Sequence, residues 1–245
     1  EINMRLLQRG IGKKIVISSF LYNYYRKSVN IIVPPLIDCG EAKWVKKVVE
    51  IPYFDGIRLI YAGHPENKDS LEMIIQSVSR CSLLGMRIQF LFLGVSKELL
   101  LRSKSKGWSS SFLNQDIFVF CGNVPQEDVP GYFAISDFSL VIRMSNRKTR
   151  AGFPTKLVES LMSGCPVIAN STSDIKKYII DGYNGFLLGD SSQCAIEEML
   201  QRIAGLSKAD LRLMKNNSIR SAIENFDYKN YKMEMEALLK DENYK

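Results

Sequence analysis

The chain has 245 residues, 46% hydrophobic and 24% charged, which is room for one sizeable globular domain or two small ones. No apolar run reaches the roughly 18 residues that a membrane-spanning helix needs. The formal charge of +7 favours anionic partners, yet the cations are scattered, as in Lys46-Lys47 and Lys176-Lys177, and aromatic residues do not interleave with them as stacking platforms; this argues against nucleic acid and leaves acidic lipid headgroups, phosphorylated small molecules or a solvated surface.

In chain order, Lys14 to Ser18 reads as a short buried strand, Phe20 to Arg26 as a short helix, and Asn30 to Val33 as a second strand that Pro34-Pro35 stops. A partly helical connection follows from Cys39 to Phe54. The regular part then begins with strand Ile57 to Tyr61 and helix Asp69 to Leu84, whose Leu71, Ile74, Ile75 and Val78 share one face. Next come strand Ile88 to Leu93, helix Lys97 to Ser103, strand Ile117 to Cys121, helix Gln126 to Ile135 and strand Phe138 to Ile142. Helix Thr155 to Met162, strand Val167 to Ala169, helix Asp174 to Ile180 and strand Gly185 to Leu188 complete the alternation. The tail from Cys194 to Leu239 reads as helical throughout. Strands spaced by helices predict an α/β class, a Rossmann-like parallel sheet with helices on both faces. Ligands of such sheets bind beyond the C-terminal strand ends, so function is expected in loops 62–69, 122–126, 143–155 and 170–174.

The densest chemical signal is Gly152-Phe153-Pro154-Thr155-Lys156-Leu157-Val158-Glu159, running on to Gly164-Cys165-Pro166-Val167-Ile168-Ala169. Pro154 suits the first helical position, Gly152 allows close approach of the backbone, and Gly164 suits a left-handed cap. Lys156 stands in a first turn, where a cation opposes the helix dipole by about 0.3–1 kcal/mol. It makes sense if free amides and the lysine together bind an anion there; otherwise Lys156 and Glu159 are a solvated helix face. Two weaker signals are glycines at strand ends: Gly63-His64, followed by Lys68 just before a helix, and Gly122-Asn123-Val124-Pro125. Each is also compatible with an ordinary βα turn, and neither matches a P-loop or a dinucleotide fingerprint.

The five cysteines, Cys39, Cys81, Cys121, Cys165 and Cys194, are widely spaced, and His64 is the single histidine. A zinc site, a disulfide framework and a Ser-His-Asp relay are therefore not expected. Reduced thiols fit a cytoplasmic protein, and Cys121 and Cys165 read as small apolar residues rather than nucleophiles.

From Val119 to Leu188 the motifs follow one another in a distinctive order: strand-Gly-x-Val, Ser136-Asp137, strand, Gly152-x-Pro154-x-Lys156-x-x-Glu159, Gly164-x-Pro166-Val167-Ile168-Ala169, then Ile179-Ile180-Asp181-Gly182-x-Asn184-Gly185-Phe186-Leu187. This order resembles the C-terminal, nucleotide-sugar-binding lobe of the family-4 glycosyltransferases of the GT-B fold, in a variant similar to surface-polysaccharide enzymes. The resemblance implies three stretches: residues 1–38 as a remnant of the join between lobes, 39–225 as the donor-binding domain, and 226–245 as a helix crossing back to an N-terminal lobe outside this chain. It implies a retaining, metal-independent transfer from a UDP- or GDP-sugar, with no cofactor. The acceptor, a glycan or a lipid-linked saccharide, would be bound mainly by the other lobe, through which a membrane surface could also be met. This half alone is expected to be inactive. Lys68 would contact the diphosphate, Glu159 the ribose hydroxyls, and Gly122, Asn123 and Val124 the base. The loop Gly152-Phe153-Pro154-Thr155 would offer the N–H groups of its non-proline residues to phosphate and sugar, with Lys156, Gly63 and His64 nearby.

Two positions depart from the family pattern. Ala151 replaces the carboxylate that usually addresses the sugar. The arginine that commonly precedes the phosphate lysine is missing, so that Arg143, Lys148 or Arg150 either replaces it or is plain surface charge. A nucleotide-sugar 2-epimerase of the same fold and a non-catalytic nucleotide-binding module are the alternative readings.

Overall fold

The structure, a computed structural model, describes residues 12–25, 29–44, 49–64, 69–102, 113 and 116–240. Segments such as Leu59-Ile60-Tyr61-Ala62 are apolar at every position, so a strand made of them must be covered on both faces. That burial is met by a six-stranded sheet of β3 (Ile57–Ala62), β4 (Ile88–Leu93), β5 (Phe118–Gly122), β6 (Phe138–Val141), β7 (Val167–Asn170) and β8 (Gly185–Leu188). The order is β5-β4-β3-β6-β7-β8 and every pairing is parallel. Before it lie β1 (Lys13–Val16), α1 (Ser19–Tyr24) and β2 (Val29–Ile32), with β1 and β2 forming a separate parallel pair. The helices around the sheet are α2 (Leu71–Leu83), α3 (Lys97–Arg102), α4 (Val129–Ile135), α5 (Arg147–Ala151), α6 (Thr155–Met162), α7 (Gln193–Ala204), α8 (Lys208–Phe226) and α9 (Lys232–Lys240). The chain has the α/β, Rossmann-like architecture that its alternation implied.

Side chains alternate across the strands. Leu59, Tyr61, Phe90 and Phe92 join Ile74 and Ile75 of α2 and Ile196 and Leu200 of α7 in one core. On the opposite face Ile60, Ala62, Leu91 and Leu93 meet Phe133 of α4. Val141, Val167 and Ala169 meet Leu157, Val158 and Leu161 of α6 and Phe226 of α8. The β7–β8 pairing leaves no space beside Gly185, where an added Cβ would run into the Val167 backbone carbonyl. Gly185→Ala is expected to cost about 2–3 kcal/mol, because the obstacle is backbone and cannot swing away. A lowered urea midpoint with an unchanged m-value would register it.

The order of strands reverses at β3: the chain steps outward to β4 and β5, then returns to β6 on the other side of β3. Such a switch opens a crevice at the C-terminal strand ends.

Several local expectations are corrected. The tail is broken rather than continuously helical. Ser207 starts α8 afresh by accepting from the Asp210 amide, and Asp227 leaves the helix with φ −65° and ψ 126° to cap a short 3-10 turn, Tyr228–Tyr231. The segment 174–180 holds only the 3-10 turn Ile175–Lys177. The buried Asn184 takes up nearby backbone groups instead, accepting from the Ile180 amide and donating to the Tyr178 carbonyl. The helix expected from Gln126 begins at Val129. A helix that had not been expected, α5, lies in loop 143–155, closed by a capping box in which Asn146 and Thr149 bond each other's amides. Among the described residues no helix is long and apolar enough to cross a membrane.

Candidate functional site

The C-terminal ends of β3 and β4 turn away from the sheet at glycines. Gly63 donates to the Leu93 carbonyl at 3.0 Å and takes φ +124°; Gly94 donates to the Gly122 carbonyl at 2.8 Å and takes φ +73°. Side chains rarely adopt those values, and the absence of Cβ atoms keeps these turns thin. Opposite them, Gly152 and Pro154 lead the chain from α5 into α6. Pro154 takes φ −78° and ψ 110° as the N-cap residue, one place before the first helical position expected for it. Gly152 ends α5 at φ −88°, and an added Cβ would touch the Lys148 carbonyl oxygen at 3.4 Å. The turn is anchored from below: the Phe153 ring packs edge-on to Tyr178, with centroids 5.4 Å apart. The amides that open α6 have no intrahelical acceptor.

Between these walls lies a cavity of about 490 Å³. Gly63, His64, Val124, Phe153, Pro154, Thr155, Lys156 and Glu159 all line it. Gly122 and Asn123, at the end of β5, and Gly152 are not among its lining residues. Lys68 lies outside the described residues. Lining residues that the sequence reading had not singled out include Asp69, Gly94 and Gln126. Gly94 had a readable signal, since it follows an apolar strand just as Gly63 does. Of the three candidate replacements for the missing arginine, Arg143 lines this cavity, and Lys148 and Arg150 do not.

The polar centre of the cavity is a buried charge cluster. Lys156 Nζ donates to Asp69 Oδ2 at 2.7 Å, and Arg143 Nε lies 3.8 Å from Asp69 Oδ1. The three side chains are 15%, 7% and 9% exposed for Lys156, Arg143 and Asp69 respectively. Tyr61 donates its hydroxyl to Asp69 Oδ2 at 2.7 Å, and Lys156 Nζ sits 3.9 Å from the centroid of the same tyrosine ring. Asn170 fixes the Arg143 backbone by accepting from its amide and donating to its carbonyl. Burial pulls the Arg143 guanidinium below its ordinary pKa, while Asp69 and then Tyr61 push it back up. With two cations and one carboxylate, the cluster keeps a net positive charge in a partly dry site, where an anion is attracted more strongly than in water. Glu159 stands on the cavity wall at α6 and accepts from Gln126 Nε2 at 3.0 Å.

The cysteines beside these loops are chemically quiet. Desolvation pushes the fully buried Cys165 thiol up to about 12 and raises that of Cys121. Because the thiolate is the reactive form, Cys165 is expected to resist iodoacetamide at pH 8 in the folded protein and to react once urea unfolds it. Mass-spectrometric mapping of labelled peptides checks this.

Comparison with known proteins agrees with the architecture. The chain is 26% identical over 200 residues to an uncharacterized glycosyltransferase of Methanocaldococcus jannaschii, a match that covers 78% of this chain and 45% of that protein. Sucrose-phosphate synthase from Thermosynechococcus elongatus superposes with a TM-score of 0.74 at 18% identity, over 93% of this chain and 57% of the synthase. HepE of Anabaena, solved in complex with UDP and glucose, superposes with a TM-score of 0.75 at 14% identity, over 97% of this chain and 65% of that one. These structural likenesses show a shared fold of the GT-B glycosyltransferase kind, and the chain spans about half the length of the relatives it matches first. The model of the glycosyl transferases group 1 family matches residues 47–243, a stretch that carries the whole six-stranded sheet and its cavity, and the chain belongs to that family.

Proposed function

We propose that this chain is the donor-binding half of a glycosyltransferase that moves a glycosyl group from a UDP- or GDP-sugar to a glycan or lipid-linked acceptor. The observation that carries this reading is the cavity at the strand-order reversal, where thin glycine turns, the opening amides of α6 and the Lys156–Arg143 pair face one space. A diphosphate fits those groups: amides at a helix start and a net positive cluster bind phosphate oxygens. Glu159, one turn further along α6, takes the ribose hydroxyls, and Val124 and Gly94 border the base. To Lys68 we assign a diphosphate contact on the resemblance alone.

In the transfer, the bond between the anomeric carbon and the diphosphate breaks, and negative charge builds on the departing phosphate. Lys156, Arg143 and the α6 amides stabilise that charge without a metal ion. Transfer proceeds with retention: the departing phosphate oxygen lies on the face from which the acceptor hydroxyl attacks and receives its proton. To residues 226–245 we assign the junction with an N-terminal lobe that contributes to the acceptor site, so the chain alone turns over poorly. The enzyme works in the cytoplasm.

Calorimetry with UDP and GDP tests the reading. One of the two is expected to bind the chain, and Glu159→Ala is expected to weaken it roughly tenfold or more, the loss of charge-assisted hydrogen bonds to a ribose. No heat and no thermal shift at millimolar concentrations of either nucleotide would overturn it.

A further inference from the structure

A second cavity, of about 510 Å³, opens along the same end of the sheet. One wall is α1; the other is formed by the segments that follow β6 and β7. The walls are fastened together. Ser18 Oγ donates to the Ala151 carbonyl at 2.8 Å, the Ser19 amide donates to Asp174 Oδ2 at 2.8 Å, and Lys177 Nζ donates to Ser19 Oγ at 2.6 Å. The cleft is thus built by residues far apart in sequence rather than by one loose loop.

Its lining suits a sugar. The hydroxyls of Ser145 and Ser171 and the amide of Asn23 offer hydrogen bonds, and the ring of Phe20 offers an apolar face. Its charge suits an acidic one. The Arg150 guanidinium of the lining lies 4.9 Å from the Phe20 ring centroid, and Arg147, outside the lining, lies 5.7 Å from that of Tyr24. Among the described residues no carboxylate pairs with Arg150, which is exposed, while the one carboxylate of the lining, Asp174, already pairs with Lys177 at 3.2 Å. Ser173, in the segment after β7, is held in an unusual conformation. It takes φ +54°, a left-handed value uncommon outside glycine, and its Oγ is buried with no hydrogen-bond partner.

The two cavities share the chain that separates them. Phe153 lines the first and Arg150 the second, and three residues span at most about 11 Å. The two cavities are therefore neighbours, parted by a short stretch of backbone.

We propose that this cleft binds the terminal sugar of the acceptor, and that this sugar carries an anionic group, a phosphate ester or a carboxylate, gripped by Arg150. The assignment rests on the donor reading of the first cavity. It moves part of the acceptor site into this chain, which the sequence had assigned mainly to the other lobe. It also gives Arg150 a task other than replacing the missing phosphate arginine.

The test titrates the chain, saturated with UDP, with glucose 1-phosphate, glucuronate and glucose, following amide shifts by NMR. At least one of the acidic sugars is expected to bind about tenfold more tightly than glucose, the usual gain from a charge-assisted, bidentate contact. A preference for glucose 1-phosphate marks a phosphate ester and one for glucuronate marks a carboxylate; either supports the site. Arg150→Ala should erase the preference and leave the affinity for UDP unchanged, which also verifies that the variant is folded. Equal binding of glucose, an unaltered preference in Arg150→Ala, or displacement of the acidic sugar by UDP would overturn the proposal. If UDP fails to bind while an acidic sugar binds through Arg150, the donor reading falls and the cleft stands as a separate saccharide site.

Discussion

Asp69→Ala is expected to destabilise the protein by about 3–5 kcal/mol, the cost of leaving buried cations without their counterion. Lys156 and Arg143 both face this carboxylate, and neither side chain is more than 15% exposed. The hydroxyl of the fully buried Tyr61 loses its 2.7 Å acceptor in the same substitution. At roughly 2–4 °C per kcal/mol for a chain of this size, the melting temperature should fall by about 6–20 °C. Asp69→Asn separates stability from binding. It keeps the shape and an acceptor for Tyr61 but removes the negative charge, so the cluster carries two positive charges in place of one. Stability should fall less than with alanine, and affinity for UDP should rise. A loss below about 1 kcal/mol in Asp69→Ala would show that the cluster is solvated like a surface pair.

Lys156→Ala is expected to weaken UDP binding by about 10- to 100-fold, which corresponds to the roughly 1.5–3 kcal/mol of a hydrogen bond to a charged group. Its effect on stability should be much smaller than that of Asp69→Ala, because Asp69 keeps both Arg143 and the Tyr61 hydroxyl. Uridine, which lacks the diphosphate, should bind wild type and variant equally. Isothermal titration with the two ligands therefore separates a phosphate contact from a general disturbance of the cavity. Equal UDP affinity in wild type and variant would remove Lys156 from the site and leave it a structural partner of Asp69.

The sheet was legible because its strands are almost unbroken apolar runs: β4 and β8 fall at Ile88–Leu93 and Gly185–Leu188 as read, and α6 at Thr155–Met162. Less legible were the segments where side chains compete for backbone bonds. Asn184 reaches back to residues 178 and 180, and nothing in the local pattern of 174–180 announces it. Asn146 and Thr149 did carry a capping signal for α5, but five residues of helix inside a loop are too few to show apolar periodicity. In the site, the cation in the first turn of α6 stood out because its position conflicts with the helix dipole, and Lys156 lines the cavity. Its partner could not be seen. Asp69 stands 87 residues earlier, and only the pairing of β3 with β6 brings the two ends together. The same holds for Arg143, which looks like any loop arginine until Asn170 and Asp69 bury it.

The most direct measurement is a crystal structure of the chain grown with saturating UDP and, separately, GDP. The diphosphate of one nucleotide should lie against the turn 153–155, with its oxygens within hydrogen-bond distance of the α6 amides and of Lys156 Nζ, and with Lys156 shared with or drawn away from Asp69. An intact Lys156–Asp69 pair filling that corner, with the nucleotide bound elsewhere or nowhere, would contradict the assignment of this cavity to a nucleotide-sugar donor.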